Sequence, residues 1–245
     1  MKWLGLTLVA LLASAHVEAA EVKVLSTVGM QPALPELFAQ FEAATGHRVV
    51  VTWGLAAVLK TKFQEGGAPA DVLILTAPLI EDLAKQGKVV TESKKDVARS
   101  GVGVAVKAGA PKPDISTAEA LKAAVLAAKS IGYSREGASG VAFARVLERL
   151  GIADQVQAKY KDTGTKAGEM VAAGEIELAA AQIPEIMAVP GAQVVGPLPA
   201  ELQTVTIFSV GLAASSQDSA AAKALIEFLA GPQATPVYKA KGLGG

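Results

Sequence analysis

The sequence predicts an α/β fold: mixed, mostly parallel sheets flanked by helices, built as two βα units in series. Three observations predict it. Strands and helices alternate as βαβαβα from Glu21 to Gln86, the order that gives a parallel sheet covered on both faces. Long strand-like stretches at 101–107 and 204–213 are suited to cross between the two units. Hydrophobic residues make up 51% of the chain and aromatic residues only 4%, a balance that suits an Ala/Val-rich core between sheet and helices.

In order, Met1–Lys2 precede an apolar run from Trp3 to Ala13, and Val17-Glu18-Ala19 follows with small or apolar residues at −3 and −1 of a cut after Ala19. This reads as a secretory signal peptide over 1–19; a cut after Ala15 is the alternative. The run is too short to span a bilayer, and no later stretch reads as a span. Glu21–Thr27 reads as a strand. Met30–Thr45 reads as a helix, with Leu34, Leu37, Phe38 and Phe41 on one stripe and Gly46 as its stop. Arg48–Trp53 is β-branched and continuously apolar, the pattern of a buried parallel strand. Leu55–Gln64 is a helix closed by Gly66-Gly67. Asp71–Thr76 is a second buried strand, and Pro78–Gln86 a helix with Pro in its first turn.

Gly101–Lys107 leaves this unit as a strand, and Ala108–Asp114 turns. Ser116 to Glu119 reads as a capping box opening a helix to Ala128. Ser130–Tyr133 is a strand. It runs through the small-residue loop Ser134–Gly140 into a helix whose apolar face is Phe143, Val146, Leu147 and Leu150, with Gly151 behind it. Asp162–Lys166 is a polar loop before the helix Ala167–Ala173. Glu177–Ala181 is a strand, Gln182–Met187 a short helix or turn, and Val194-Val195 a short strand. Thr204–Ala213 is a long strand, Asp218 caps the last strong helix, and a short helix ends near Lys241.

Composition narrows the function. There is no cysteine, so disulfides, thiolate metal sites and thiol catalysis are excluded. The 23 basic and 23 acidic residues cancel without charge runs, which gives nucleic-acid binding no support. Once the leader is removed, His47 is the one remaining histidine, in a helix-to-strand turn. No metal-ligand spacing, P-loop or nucleophile elbow is present, so no cofactor, metal or catalytic residue is expected. Four loops lie at the carboxyl ends of strands, where open α/β sheets bind ligands: Ser26–Gln31, Gly54–Ala57, Ser134–Gly140 and Thr163–Lys166. Helix N-termini there suit an anion.

The order and spacing of VLSTVGM, GGAPADVLIL (Gly66–Leu75), ARSGVGVAVK, SREGASG with a helix ending in LERLG, and FLAGPQA (Phe228–Ala234) resemble the molybdate-binding type of periplasmic substrate-binding protein, class II in topology. The resemblance covers nearly all of the mature chain. It implies a two-lobed periplasmic-binding-protein-like fold (type II) joined by two hinge strands, with lobe I at 20–100 and 206–245 and lobe II at 101–205. It further implies a periplasmic location, an ABC permease as partner, a small anion as ligand and a monomer.

Carried over position by position, the family's oxyanion contacts fall on residues that have changed. A Ser hydroxyl is matched by Gly29, another by Ala56, a helix-start amide by Ser139, a fourth contact near Gly164, and a Tyr hydroxyl by Gln182. Three side-chain hydroxyls are thus absent, and each lost donor leaves a charged oxygen unpaired at about 1–3 kcal/mol. That argues against tight molybdate binding and makes this a divergent member. Ser26 and Thr27 remain at the first loop with Gln31, Ser134 and Ser139 at the third with Arg135, and Thr165 and Lys166 at the fourth with Thr163. Hydroxyls and cations together suit an organic carboxylate. The candidate ligand set is therefore Ser26, Thr27, Gly29, Ala56, Ser134, Ser139, Thr165, Lys166 and Gln182; solvated charge is the plainer reading of Arg135 and Lys166. The superfamily also contains an aconitate isomerase, so a periplasmic isomerase of an aconitate-like acid is the alternative, with Tyr133, Glu136 or Lys166 as bases to consider.

Overall fold

The computed structural model describes residues 19–216 and 219–244. The leader read over 1–19 lies outside them save for its last residue, as does the Asp218 cap. Two α/β lobes share one curled sheet. Its strand order is β2-β1-β3-β9-β4-β7-β5-β6, with β8 also paired to β4. In the first lobe β1 (Glu21–Thr27), β2 (Arg48–Gly54) and β3 (Val72–Thr76) run parallel, and β9 (Val205–Leu212) runs against β3. In the second, β5 (Ile131–Tyr133), β6 (Tyr160–Asp162) and β7 (Leu178–Gln182) are parallel, and β8 (Ala192–Pro197) is antiparallel to β4.

Strand β4 (Lys95–Lys107) joins the lobes. Its first half pairs with β9 and its second half with β7 and β8. It begins six residues before the strand read at Gly101, because a bulge between Asp96 and Ala98 interrupts the alternation of its first half. At the junction the Gln203 side chain stands in for a strand: its amide donates to the Val102 carbonyl and accepts from the Val102 N–H, both at 2.9 Å. A Cβ on Gly101 would lie 2.9 Å from that amide, so glycine is required for its approach.

Helices cover both faces of each half. In the first lobe α1 (Leu34–Thr45) and α9 (Ser219–Ala230) cover one face, with Phe41, Leu225 and Phe208 in its core; α2 (Ala56–Gln64) and α3 (Ala77–Lys85) cover the other with Leu59, Leu73 and Ile80. In the second, α4 (Ala118–Ala127), α5 (Ala138–Arg149) and α6 (Ala153–Gln157) bury Leu121, Phe143 and Val156, and α7 (Ala167–Ala173) and α8 (Ile183–Met187) pack over Ala179 and Ala181. The short helix α10 (Thr235–Ala240) ends the described chain, and Gly244 bridges to Arg99. No helix among the described residues is long and apolar enough to cross a membrane.

Three readings need correction. Strand β2 is not buried: it is the sheet edge, paired to β1 alone, with Val49, Val51 and Trp53 inward and Val50 36% exposed. Helix α1 starts at Leu34 rather than Met30. Val28–Met30 form a 3-10 turn, and Pro35, which lacks an N–H, fits only in a first turn. The cap of α4 is Thr117 rather than Ser116, its hydroxyl accepting from the Ala120 N–H at 3.1 Å.

Candidate functional site

The loops at the carboxyl ends of five strands converge between the lobes on an enclosed cavity of about 20 Å³, room for roughly one water. Thr27 ends β1 and Gly29 follows it, Leu55 and Ala56 follow β2, Ser134 and Ser139 follow β5, Gly164 follows β6, and Gln182 ends β7 with Glu185 after it. Phe208 of β9 closes a wall.

Helices α2 and α5 both begin here without a side-chain cap, so their first N–H groups remain to be satisfied. The loop before α5 is folded tightly. The Ser134 hydroxyl oxygen accepts from the Gly137 N–H at 2.9 Å, and a Cβ at Gly140 would sit 1.8 Å from the Ser134 carbonyl oxygen. Glycine at 140 therefore lets the first turn of α5 close onto its own loop. Gln182 is 2% exposed; its Nε2 donates to the Thr206 hydroxyl at 2.8 Å, and its Oε1 lines the cavity region without a partner. Turning the amide over keeps the Thr206 bond and offers Nε2 to a ligand instead.

Gly29 shows where the family's first hydroxyl has gone. A Cβ there would meet the Phe208 ring at 2.9 Å and Glu185 Oε1 at 3.4 Å. Phenyl and carboxyl occupy the space of a seryl side chain. Glu185 was not among the residues read from the sequence, although Gln182-x-x-Glu185 has the spacing of a helix cap. The residue keeps some surface, but its carboxyl is enclosed by protein. Burial pushes the acid up to about 7; the Gln182 backbone N–H opposes that rise, and the Glu169 carboxylate adds to it.

The small cavity is a neck between two larger spaces. One, of about 260 Å³, shares Val28 and Glu185 with it and is lined by Gln31, Thr165 and Glu169. The other, an open mouth of about 800 Å³, shares Ala56 and Ala138 and carries Arg145, Val141 and Glu136. Arg145 makes no hydrogen bond or salt bridge among the described residues.

Of the residues read from the sequence, Thr27, Gly29, Ala56, Ser134, Ser139 and Gln182 come together at the neck, and Thr165 lines the adjoining space. Ser26 is wholly buried behind them, its hydroxyl donating to the Thr27 carbonyl at 3.3 Å. Lys166 is exposed and lines none of these spaces. Arg135 lies over the Tyr160 ring, 5.5 Å from its centre. The Thr163 hydroxyl is buried without a partner. His47 is remote, accepting from the Ala20 N–H at 3.1 Å through Nδ1.

A model of the bacterial extracellular solute-binding protein family matches residues 22–244. The chain belongs to this family. Within it, the solute-binding protein is 33% identical over 243 residues to an aconitate isomerase of a Pseudomonas species, covering 95% of this chain and 92% of that one. It is 29% identical over 236 residues to the molybdate-binding protein ModA of Azotobacter vinelandii, covering 93% and 91%. The solved periplasmic molybdate-binding protein of Azotobacter vinelandii superposes with a TM-score of 0.77 at 23% identity, over 91% of this chain and 98% of that one. The solute-binding protein thus has the periplasmic-binding-protein fold and is similar to proteins of the molybdate-binding type.

Proposed function

We propose that this protein binds a small organic polycarboxylate between its lobes and hands it to an ABC permease. It would act as a monomer, exported by the leader at 1–19. Lobe I, at 20–100 and 206–245, would close on lobe II, at 101–205. The observation that carries the ligand class is the neck: uncapped helix starts and polar groups meet there, and a larger space lies on each side, sharing lining residues with it. A tetrahedral oxyanion needs one closed shell of donors. A longer acid needs a seat for one carboxylate and room beyond it. In this reading Ser139, Ala56, Thr27 and Gln182 seat the first carboxylate, and Arg145 takes a second. Arg145 lies two turns along α5 from Ala138, about 10 Å, and its long side chain leans back toward the helix start. The missing hydroxyls at Gly29, Ala56 and Gln182 count against molybdate.

Thermal shift with succinate, citrate, trans-aconitate, molybdate, tungstate and sulfate tests it, because a ligand at 100 times its Kd stabilises by about 2.7 kcal/mol. Polycarboxylates are expected to raise the melting temperature. Arg145→Ala should remove most of the gain from di- and tricarboxylates. A panel in which no carboxylate acts would sink the proposal.

A second reading, an isomerase of an aconitate-like acid, is favoured by Glu185 and by the aconitate isomerase relative. A carboxyl near 7 can take a methylene proton and return one to the far end of the three-carbon unit. Incubation with trans-aconitate, followed by proton NMR for the cis isomer, tests it. Turnover abolished in Glu185→Gln is the expected result; no turnover by concentrated wild type excludes it.

A further inference from the structure

We propose that Glu185 enters the ligand complex as a neutral acid that donates a hydrogen bond to a ligand carboxylate, so that ligand binding above neutral pH draws close to one proton into the site. The inference rests on the carboxylate reading above and deepens it. Geometry carries it. The Glu185 carboxyl lines both the neck and the adjoining space, and its Oε1 is 3.4 Å from where a Cβ of Gly29 would stand. It therefore lies where a ligand carboxylate is to be seated.

No cationic side chain lines either space beside it, among the described residues. The 3-10 turn presents Gly29 and Gln31, β9 presents the Phe208 ring, and α2 and α5 present small side chains. The one charged side chain lining these two spaces with it, among the described residues, is Glu169 of α7, another carboxylate. The Gln182 backbone N–H is the stabilising contact recorded for the ionised form. Bringing a ligand carboxylate beside an ionised Glu185 would place two like charges in a space that water leaves as the lobes close, which favours the charged form of neither. Protonation removes the conflict and supplies a donor where the family's hydroxyl is missing. The weakened acidity of Glu185 in the free protein points the same way: burial already holds the group half-protonated near neutrality.

Isothermal titration of the full mature protein with succinate, citrate and trans-aconitate, at pH 6, 7 and 8 in two buffers of different ionisation enthalpy, counts protons. Each ligand's own ionisation is subtracted. Close to one proton should be taken up per ligand at pH 8 and almost none at pH 6, with Kd about tenfold weaker at pH 8. Glu185→Gln keeps the shape and the cap and should show a flat Kd and no uptake, whereas Glu169→Gln should keep the uptake. In wild type at pH 8, an infrared difference spectrum should gain a protonated carboxyl band on ligand addition, a readout that does not depend on the variant folding. No uptake at pH 8, no such band, or uptake that persists in Glu185→Gln overturns the proposal alone. If none of the three acids binds at any pH, the carboxylate reading falls and this proposal with it.

Discussion

Gly29 decides what the first loop can hold. Restoring the family's hydroxyl there by Gly29→Ser would drive a Cβ into the Phe208 ring at 2.9 Å. Overpacking of this kind costs about 1–3 kcal/mol, so chemical denaturation should show Gly29→Ser less stable by that much. Molybdate affinity should not rise, because the hydroxyl has no room to point at a ligand. Glu185 makes a second prediction through pH. Its folded-state acid is raised from 4.5 to about 7, so the native state holds a proton that the unfolded chain gives up. That contribution to stability is full below about pH 4.5 and is lost as pH rises through about 7, roughly 3 kcal/mol in all. Glu185→Gln should flatten this part of the stability profile. Thr27 and Ser139 could be picked from the sequence because strand ends and helix starts announce themselves, and Gln182 came only from the family resemblance. Glu185 could not, since a charged residue in a helix's first turn is ordinarily a solvated cap.

At the level of elements, local patterning located most strands and helices but left their neighbours open. RVVVTW has the composition of a central strand, yet β2 is an edge; β-branching reports fit to a pleated surface and does not say how many strands lie alongside. Strand β6 was missed because three residues, Tyr160–Asp162, carry no period of their own. The hinge was legible as a long strand at 101–107, but its mate at the crossing was not: a side chain, Gln203, completes the ladder at Val102. Gln203→Ala removes both bonds; the Val102 carbonyl keeps its bond from the Leu198 N–H at 3.1 Å, and the Val102 N–H is left to water. A loss of about 1–2 kcal/mol is expected, together with faster hydrogen exchange at the Val102 amide. Unchanged exchange there would mean that the amide pairing does not hold the crossing.

For the molecule as a whole, the two halves of one sheet bring loops distant in sequence to a common neck. No local pattern encodes that meeting; the resemblance in motif order supplied it. Residue type alone did not separate Ser139, which lines the neck, from Lys166, which stays outside it. The proposed function uses the same arrangement: two helices begin uncapped at the neck, and Arg145 lines the mouth beside it. The most direct test is a calorimetric titration of the mature protein with trans-aconitate, citrate and molybdate under one set of conditions. Saturable binding of a polycarboxylate, weakened by Arg145→Ala, with no tight binding of molybdate, is the expected result. Nanomolar molybdate binding with no response to either acid would contradict it.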